Sequence, residues 1–137
     1  MIEQYLIIIG ASIILILGLI HMKYTFFSNK FLARDSNTVE KMKMTSPILT
    51  RNTTMWKAWI GFNASHSLGV IFFGLINIII AIQHFEIYIS APILSVLNII
   101  TLLFYLFLSK KYWFRPPFIG VIVSLLCFSI SFILLLK

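Results

Sequence analysis

Four long stretches of this sequence carry no charged residue, and they restrict the fold more than any other feature. They run over residues 4–22, 58–85, 87–109 and 116–136. Each is near or above the roughly 18 to 20 apolar residues with which an α-helix crosses the hydrocarbon of a bilayer. Hydrophobic residues make up 60% of the chain and charged residues 11%, whereas soluble domains contain about 45–50% apolar residues. The sequence therefore predicts an all-α integral membrane protein.

The connections between these stretches predict how the helices are arranged. We expect one transmembrane domain, residues 1–137, with helices at about 4–27, 56–84, 87–109 and 116–136. The last two connections are short, and short connections make neighbouring helices antiparallel. The simplest architecture is an up-down-up-down four-helix bundle. A homo-oligomer is a further expectation, because four short helices can need copies of themselves, although lipid-facing and partner-facing apolar surfaces look alike in sequence.

The basic residues predict the orientation of the helices. The net charge of +7 lies beside the predicted spans, so it indicates topology and not a nucleic-acid partner. Seven basic residues lie in the first loop and its flanks and three in the third loop, whereas the opposite side has only Lys137 together with Glu3 and Glu86. By the positive-inside rule, both basic loops face the cytoplasm and both termini lie on the opposite side of the membrane.

The basic cytoplasmic loop, residues 28–55, is the one sizeable aqueous segment. Its residues 37–44 are predicted to start a short amphipathic helix on the membrane surface, which Ser46 and Pro47 end. We expect this loop to contact the anionic headgroups of membrane lipids. A ligand lid and a partner-docking surface are the alternatives.

The start of the second predicted helix carries four polar side chains, those of Asn63, Ser65, His66 and Ser67. Hydrocarbon offers no water to such groups, so they need protein or ligand partners and are candidates for function. His66 lies nine residues after Lys57, which places it about 13 Å into the membrane on the cytoplasmic side. A purely structural role, in which these side chains fasten helices together, is the main alternative.

Each predicted helix has one face of small or polar residues. On the fourth helix Gly120, Ser124 and Ser131 share a face at helical spacing, and Gly18 lies on the corresponding face of the first. We expect these four residues to pack helices together. If such faces turn inward, the predicted ligand-binding residues line one pocket; they are His21, Asn63, His66, Ser67, Tyr105 and Ser124.

The residue types restrict the chemistry of this site. The predicted spans contain no Asp or Glu, which excludes a ferritin-like carboxylate centre, and Cys127 is the only cysteine, which excludes a disulfide within the chain. Neighbouring serine and histidine residues on a helix point in different directions, so we assign no catalytic residue. No metal or cofactor is predicted. The alternative is a small membrane enzyme or a redox protein that holds haem b between His21 and His66.

The four polar residues at the start of the second predicted helix belong to a longer motif. The segment from Thr54 to Gly69, together with Gly18 and His21, resembles a family of small, uncharacterised bacterial four-helix integral membrane proteins. Their motif has the form W-[KR]-A-W-x-G-F-N-x-S-H-S-x-G and lies at the start of the second transmembrane helix. The resemblance covers about half of the chain, from the first helix through the second. It implies the fold and the place of the site, and it assigns no reaction.

These observations favour a non-enzymatic, multi-pass inner-membrane protein. Its polar His, Asn and Ser cluster is predicted to bind a lipid-like or other amphiphilic ligand, or a membrane-protein partner. A structural subunit of a larger complex is a third interpretation, in which the small-residue face of the fourth helix is the docking surface.

Overall fold

The fold of the protein was described from a computed structural model that covers residues Met1–Lys137. It is 81% helical and contains no strand. The helices are α1 (Ile2–Phe27), α2 (Ser36–Met44), α3 (Met55–Gln83), α4 (Glu86–Ser90), α5 (Pro92–Tyr112) and α6 (Arg115–Leu135). Of these, α1, α3, α5 and α6 are long and apolar enough to cross a membrane. The prediction of an all-α protein with four long apolar helices is confirmed.

The third long helix begins five residues later than the sequence predicts. Residues 86–90 form the separate short helix α4, and Ala91 leaves the helical conformation with φ −126° and ψ 74°. Pro92 explains the break, because proline lacks an N–H and its ring disfavours helical geometry in the preceding residue. Proline suits a first helical turn, so α5 starts there.

The chain divides into two compact units. The terminal unit contains Met1–Leu17 and Val70–Lys137, and the loop unit contains Gly18–Gly69. The loop unit therefore includes the end of α1, the helix α2 and the beginning of α3. Each unit is described separately.

The core of the terminal unit is small, and much of its apolar surface faces outward. Ile7, Ala11, Leu102 and Phe128 are among its buried apolar residues. Large apolar side chains on the other faces of the helices are exposed, as Phe72 is at 65%. Such surfaces are the expected ones when the solvent is hydrocarbon, which gives little drive to bury Leu, Ile and Phe.

Small residues let α1 and α6 approach each other within the terminal unit. The Ser124 hydroxyl donates to the Gly10 carbonyl at 2.9 Å, and the Ser131 hydroxyl donates to the Glu3 carbonyl at 2.9 Å. A Cβ atom on Gly120 would lie 2.7 Å from Cδ1 of Leu17. Thus three of the residues with predicted packing roles lie where helices meet. The fourth, Gly18, is buried in the loop unit.

A close helix approach in the terminal unit lies at Gly74, which the sequence analysis did not single out. A Cβ atom there would lie 2.7 Å from Cβ and 2.8 Å from the backbone nitrogen of Leu15, and 2.9 Å from the Ala11 carbonyl oxygen. Only glycine fits this contact between α3 and α1, because two of the three neighbouring atoms belong to the backbone.

A buried hydrogen-bond network joins α3, α4 and α5. The Oδ1 atom of Asn77 accepts from the Tyr88 hydroxyl and from Nδ2 of Asn98 at 2.6 Å, while its Nδ2 donates to the Phe73 carbonyl at 2.8 Å. Burial raises the pKa of Tyr88 well above its usual range, which keeps the hydroxyl a donor. The network satisfies two amides that would be costly to leave unpaired.

In the loop unit, Asp35 caps the N-terminus of α2. Its carboxylate accepts the backbone N–H groups of Asn37 and Thr38, at 3.1 and 3.2 Å, and the Thr38 hydroxyl at 2.8 Å. The Thr38 hydroxyl and the Asn37 N–H hold the pKa of Asp35 below its usual range. An N-cap of this kind satisfies backbone donors that have no partner within the helix.

Replacing Gly74 with alanine should lower the free energy of unfolding in detergent by about 1–3 kcal/mol, the usual effect of overpacking a core. Thermal unfolding followed by circular dichroism measures the change. Gly69→Ala is the matched control on the same helix, since nothing lies within 4 Å of a Cβ atom there. Equal melting temperatures for the two variants would contradict the assigned contact.

The pH dependence of α2 should follow ionisation of Asp35. Because its pKa is lowered in the folded chain, the carboxylate stabilises α2 above the ordinary carboxyl pKa of about 4. That stabilisation is lost as the pH falls through the lowered pKa. Amide hydrogen exchange of residues 36–44 should therefore speed up, relative to the intrinsic rate, at acid pH. Asp35→Asn, which keeps a good cap without titrating, should remove this pH dependence, and its persistence would refute the assignment.

Candidate functional site

Three of the predicted site residues come together in the loop unit. Nε2 of His21, on α1, lies 3.0 Å from Oδ1 of Asn63, on α3. The rings of His21 and His66 meet edge to face, with centroids 5.2 Å apart. His21 and Asn63 are 42 positions apart in the sequence, so only tertiary packing brings them together. We call His21, Asn63 and His66 the polar cluster from here on.

The hydrogen bonds of Asn63 indicate which atom of His21 carries a proton. Nδ2 of Asn63 donates to the Trp59 carbonyl at 2.8 Å, one turn earlier on α3. Its Oδ1 therefore faces His21, and because a carbonyl oxygen only accepts, Nε2 of His21 is the donor. The His21 carbonyl in turn accepts the Thr25 hydroxyl at 2.9 Å. Both partners are thus held in place by their own helices.

An aromatic wall adjoins the polar cluster. The Phe31 ring lies 4.6 Å from the His21 ring and 6.0 Å from the Tyr24 ring, measured between centroids. Phe31 also lines a cavity of about 240 Å³ in the loop unit. The other main lining residues are Tyr24, Thr25, Ser28, Trp56, Trp59 and Ile60. We call this space the aromatic cavity; it combines ring faces with the hydroxyl groups of Tyr24, Thr25 and Ser28.

The two serines of the sequence motif bond within their own helix. The buried Ser67 hydroxyl donates to the Asn63 carbonyl at 2.7 Å, and the exposed Ser65 hydroxyl donates to the Phe62 carbonyl at 3.0 Å. Ser67 therefore supports the backbone under Asn63, and its burial keeps it away from a ligand in the aromatic cavity.

The remaining two predicted ligand-binding residues lie in the terminal unit. Ser124 is fully buried and bonds to the Gly10 carbonyl, as described above. The ring of Tyr105 lies 6.2 Å from that of Trp113. Neither residue belongs to the loop unit that holds the polar cluster.

The aromatic lining is the part of the site that sequence reasoning missed. By sequence, Trp56, Trp59 and Phe31 fit the membrane interface as well as the wall of a cavity. An aromatic residue near a membrane boundary has the same sequence signature in either place. The one signal in the sequence was the recurrence of aromatic residues at and near the two ends of the basic loop, at Tyr24, Phe31 and Trp56.

The geometry of the two histidines does not fit a haem held between them. Metal–nitrogen bonds of about 2 Å on opposite sides of an iron would separate the ring centroids by about 6 Å. The observed separation is 5.2 Å, and Nε2 of His21 is already bonded to Asn63. No group of three or more His, Cys, Asp or Glu side chains is placed to hold a metal ion.

The loop unit is strongly basic. It contains seven Lys and Arg residues and two acidic residues, Asp35 and Glu40, which leaves a net charge of +5. Nζ of Lys43 lies 5.7 Å from the centroid of the Trp56 ring, within reach of a cation–π interaction. A positive charge therefore lies beside Trp56, one of the residues that line the aromatic cavity.

No protein-family model matches this chain, and neither curated proteins nor solved structures match it significantly. The family resemblance of the segment from Thr54 to Gly69 therefore stays a prediction.

Proposed function

We propose that this is a small, non-enzymatic multi-pass membrane protein that binds an amphiphilic, lipid-like ligand in its loop unit. The polar end of the ligand would bond to the polar cluster, and its apolar part would occupy the aromatic cavity. Sites of this kind, mostly apolar with a few convergent polar groups, are how proteins hold small amphiphiles.

The observation that carries this proposal is the His21–Asn63 hydrogen bond next to the aromatic cavity. Phe31 contacts His21 on one side and lines the cavity on the other, so a ligand that displaces this ring reaches the polar cluster directly. In its present tautomer His21 offers an acceptor at Nδ1, and an amide has two donor hydrogens and two lone pairs. The polar cluster can therefore serve a headgroup that both donates and accepts.

The haem alternative has less support, because the His21 and His66 rings lie closer than two axial ligands would and Nε2 of His21 is bonded to Asn63. The competing interpretation is a purely structural role, in which the polar cluster only holds α1 and α3 together, since the His21–Asn63 bond already joins these helices. The two interpretations differ in what the cavity contains when the protein is isolated gently.

We also propose that the four long helices alternate in direction across a bacterial inner membrane, with both termini outside. The order in which contacts follow one another along the helices supports this alternation of direction. Ser124 meets Gly10 and Ser131 meets Glu3, so residue numbers rise along α6 as they fall along α1. Likewise Gln4 donates to the Ala81 carbonyl on α3, whereas Gly74 adjoins Leu15. The orientation rests on the basic loops.

Native mass spectrometry of gently purified protein tests ligand binding. We expect a retained amphiphile whose occupancy falls about three- to tenfold in Asn63→Ala, the usual effect of losing one hydrogen bond. Ser65→Ala is the matched control, because Ser65 bonds only within its own helix. Asn63→Ala that lowers the melting temperature without changing retained mass would support fastening alone. A Soret band lost in His66→Ala would instead favour haem.

Thiol labelling tests the topology. In a Cys127→Ser background, His84→Cys in the second connection should react with a membrane-impermeant maleimide in intact bacterial cells. Asn52→Cys in the basic loop should react only after permeabilisation, because we expect that loop in the cytoplasm. Both positions are exposed, and the parent chain without cysteine is the control. The reverse labelling pattern would invert the orientation.

A further inference from the structure

The loop unit contains a second cavity, which the polar cluster and aromatic cavity do not use. Its volume is about 370 Å³. It is lined mainly by Met42, Pro47, Leu49, Met55, Trp59 and Phe62. Thr50 and Thr53 supply its only polar side chains, and Trp59 is the only residue that it shares with the aromatic cavity. We call it the apolar groove.

The walls of the apolar groove are exposed to an unusual degree for apolar side chains. Leu49 is 93% exposed and Phe62 is 75% exposed. Leaving such surface in water costs about 25 cal/mol per Å². Contiguous exposed apolar surface marks an interaction site with a membrane or another molecule. The groove lies where the basic loop joins the first turns of α3, which starts at Met55.

Basic residues surround the apolar groove in sequence. Lys41 and Lys43 flank Met42, Arg51 follows Thr50, and Lys57 precedes Ala58, so each adjoins a lining residue. All four are exposed and none forms an ion pair.

The acids of the loop unit leave this positive charge largely uncompensated. Asp35 is bonded to the N-terminus of α2, and Glu40 is the only other acid in the unit. The segments that line the groove are therefore basic, whereas the lining itself is apolar. An occupant that matches both has a hydrocarbon chain attached to an anionic group.

We propose that the apolar groove binds an acyl chain of an anionic phospholipid, and that Lys43, Arg51 and Lys57, which adjoin lining residues in sequence, bind the lipid phosphate. Three observations favour this occupant over a soluble anion or a protein. The volume is at the lower end of the range for small-ligand sites, which suits one chain. Basic residues beside a span attract anionic lipids. Trp56 and Trp59 are of the type that lies at the headgroup level. The proposal does not depend on the proposed function, because the two cavities share only Trp59.

The test is a native mass spectrometry titration of the detergent-solubilised full chain with two lipids of identical acyl chains. Dioleoyl phosphatidylglycerol carries a net negative charge, and dioleoyl phosphatidylcholine does not. The wild type should bind the anionic lipid more tightly. A triple variant, Lys43→Gln with Arg51→Gln and Lys57→Gln, should lose about fivefold in anionic-lipid affinity per residue. The matched control removes three basic residues of the third loop, as Lys110→Gln with Lys111→Gln and Arg115→Gln.

A second variant tests the groove itself without changing charge. Ala58 lines the groove, and Ala58→Phe should fill part of it and weaken binding of both lipids while leaving the anionic preference. Equal affinity of the wild type for the two lipids would overturn the proposal. So would equal losses in the two triple variants, or unchanged binding in Ala58→Phe. The proposed function fails on the occupancy of the retained amphiphile in Asn63→Ala, whereas this proposal fails on the preference for the anionic lipid, so the two proposals can fail separately.

Discussion

Polar groups in an apolar solvent need hydrogen-bond partners, and this requirement organises the protein. Hydrocarbon cannot hydrogen-bond, so an unpaired amide, hydroxyl or imidazole within a membrane span costs several kcal/mol. Every buried side-chain nitrogen and oxygen has a hydrogen-bond partner. The pairs that result, such as Asn77 with Asn98 in the terminal unit and His21 with Asn63 in the loop unit, join different helices. The same requirement that fixes the helices therefore also concentrates the groups that can act on a ligand.

Close packing of small residues is the second constraint, and hydrogen bonding between helices depends on it. Serine hydroxyls reach the backbone of a neighbouring helix only if the two backbones approach, and Ser124 and Ser131 both bond to α1 carbonyls. The approach at Gly74 allows no side chain at all. Without a hydrophobic drive between helices in lipid, such van der Waals contact and hydrogen bonds hold helices together. The outward Ile, Leu and Phe side chains are left to contact lipid.

Much of the fold follows from local sequence, and much of the site does not. Four uncharged stretches were enough to predict four long helices, because the length and hydropathy of a span are local properties. Local chemistry also explains the break at Pro92. The polar cluster was predicted by residue, yet the aromatic cavity was not, since Phe31 and Trp56 look like ordinary interfacial residues. Tyr105 and Ser124 were predicted to line the same pocket as the polar cluster, but they belong to the terminal unit. Periodicity identifies a face and does not identify its neighbour.

The sequence by itself determined that the chain is helical, that four helices have the length of a bilayer, and that positive charge lies in two loops. These follow from the transfer free energies of individual residues, which add along the chain. Only the tertiary structure decided that His21 meets Asn63 and His66, that Gly74 packs against the backbone of α1, and that the basic loop helps to line two cavities. The physical reason is that lipid gives no amphipathic pattern from which the rotation of one helix against another can be read. Those rotations are set by shape and hydrogen bonding between residues far apart in sequence.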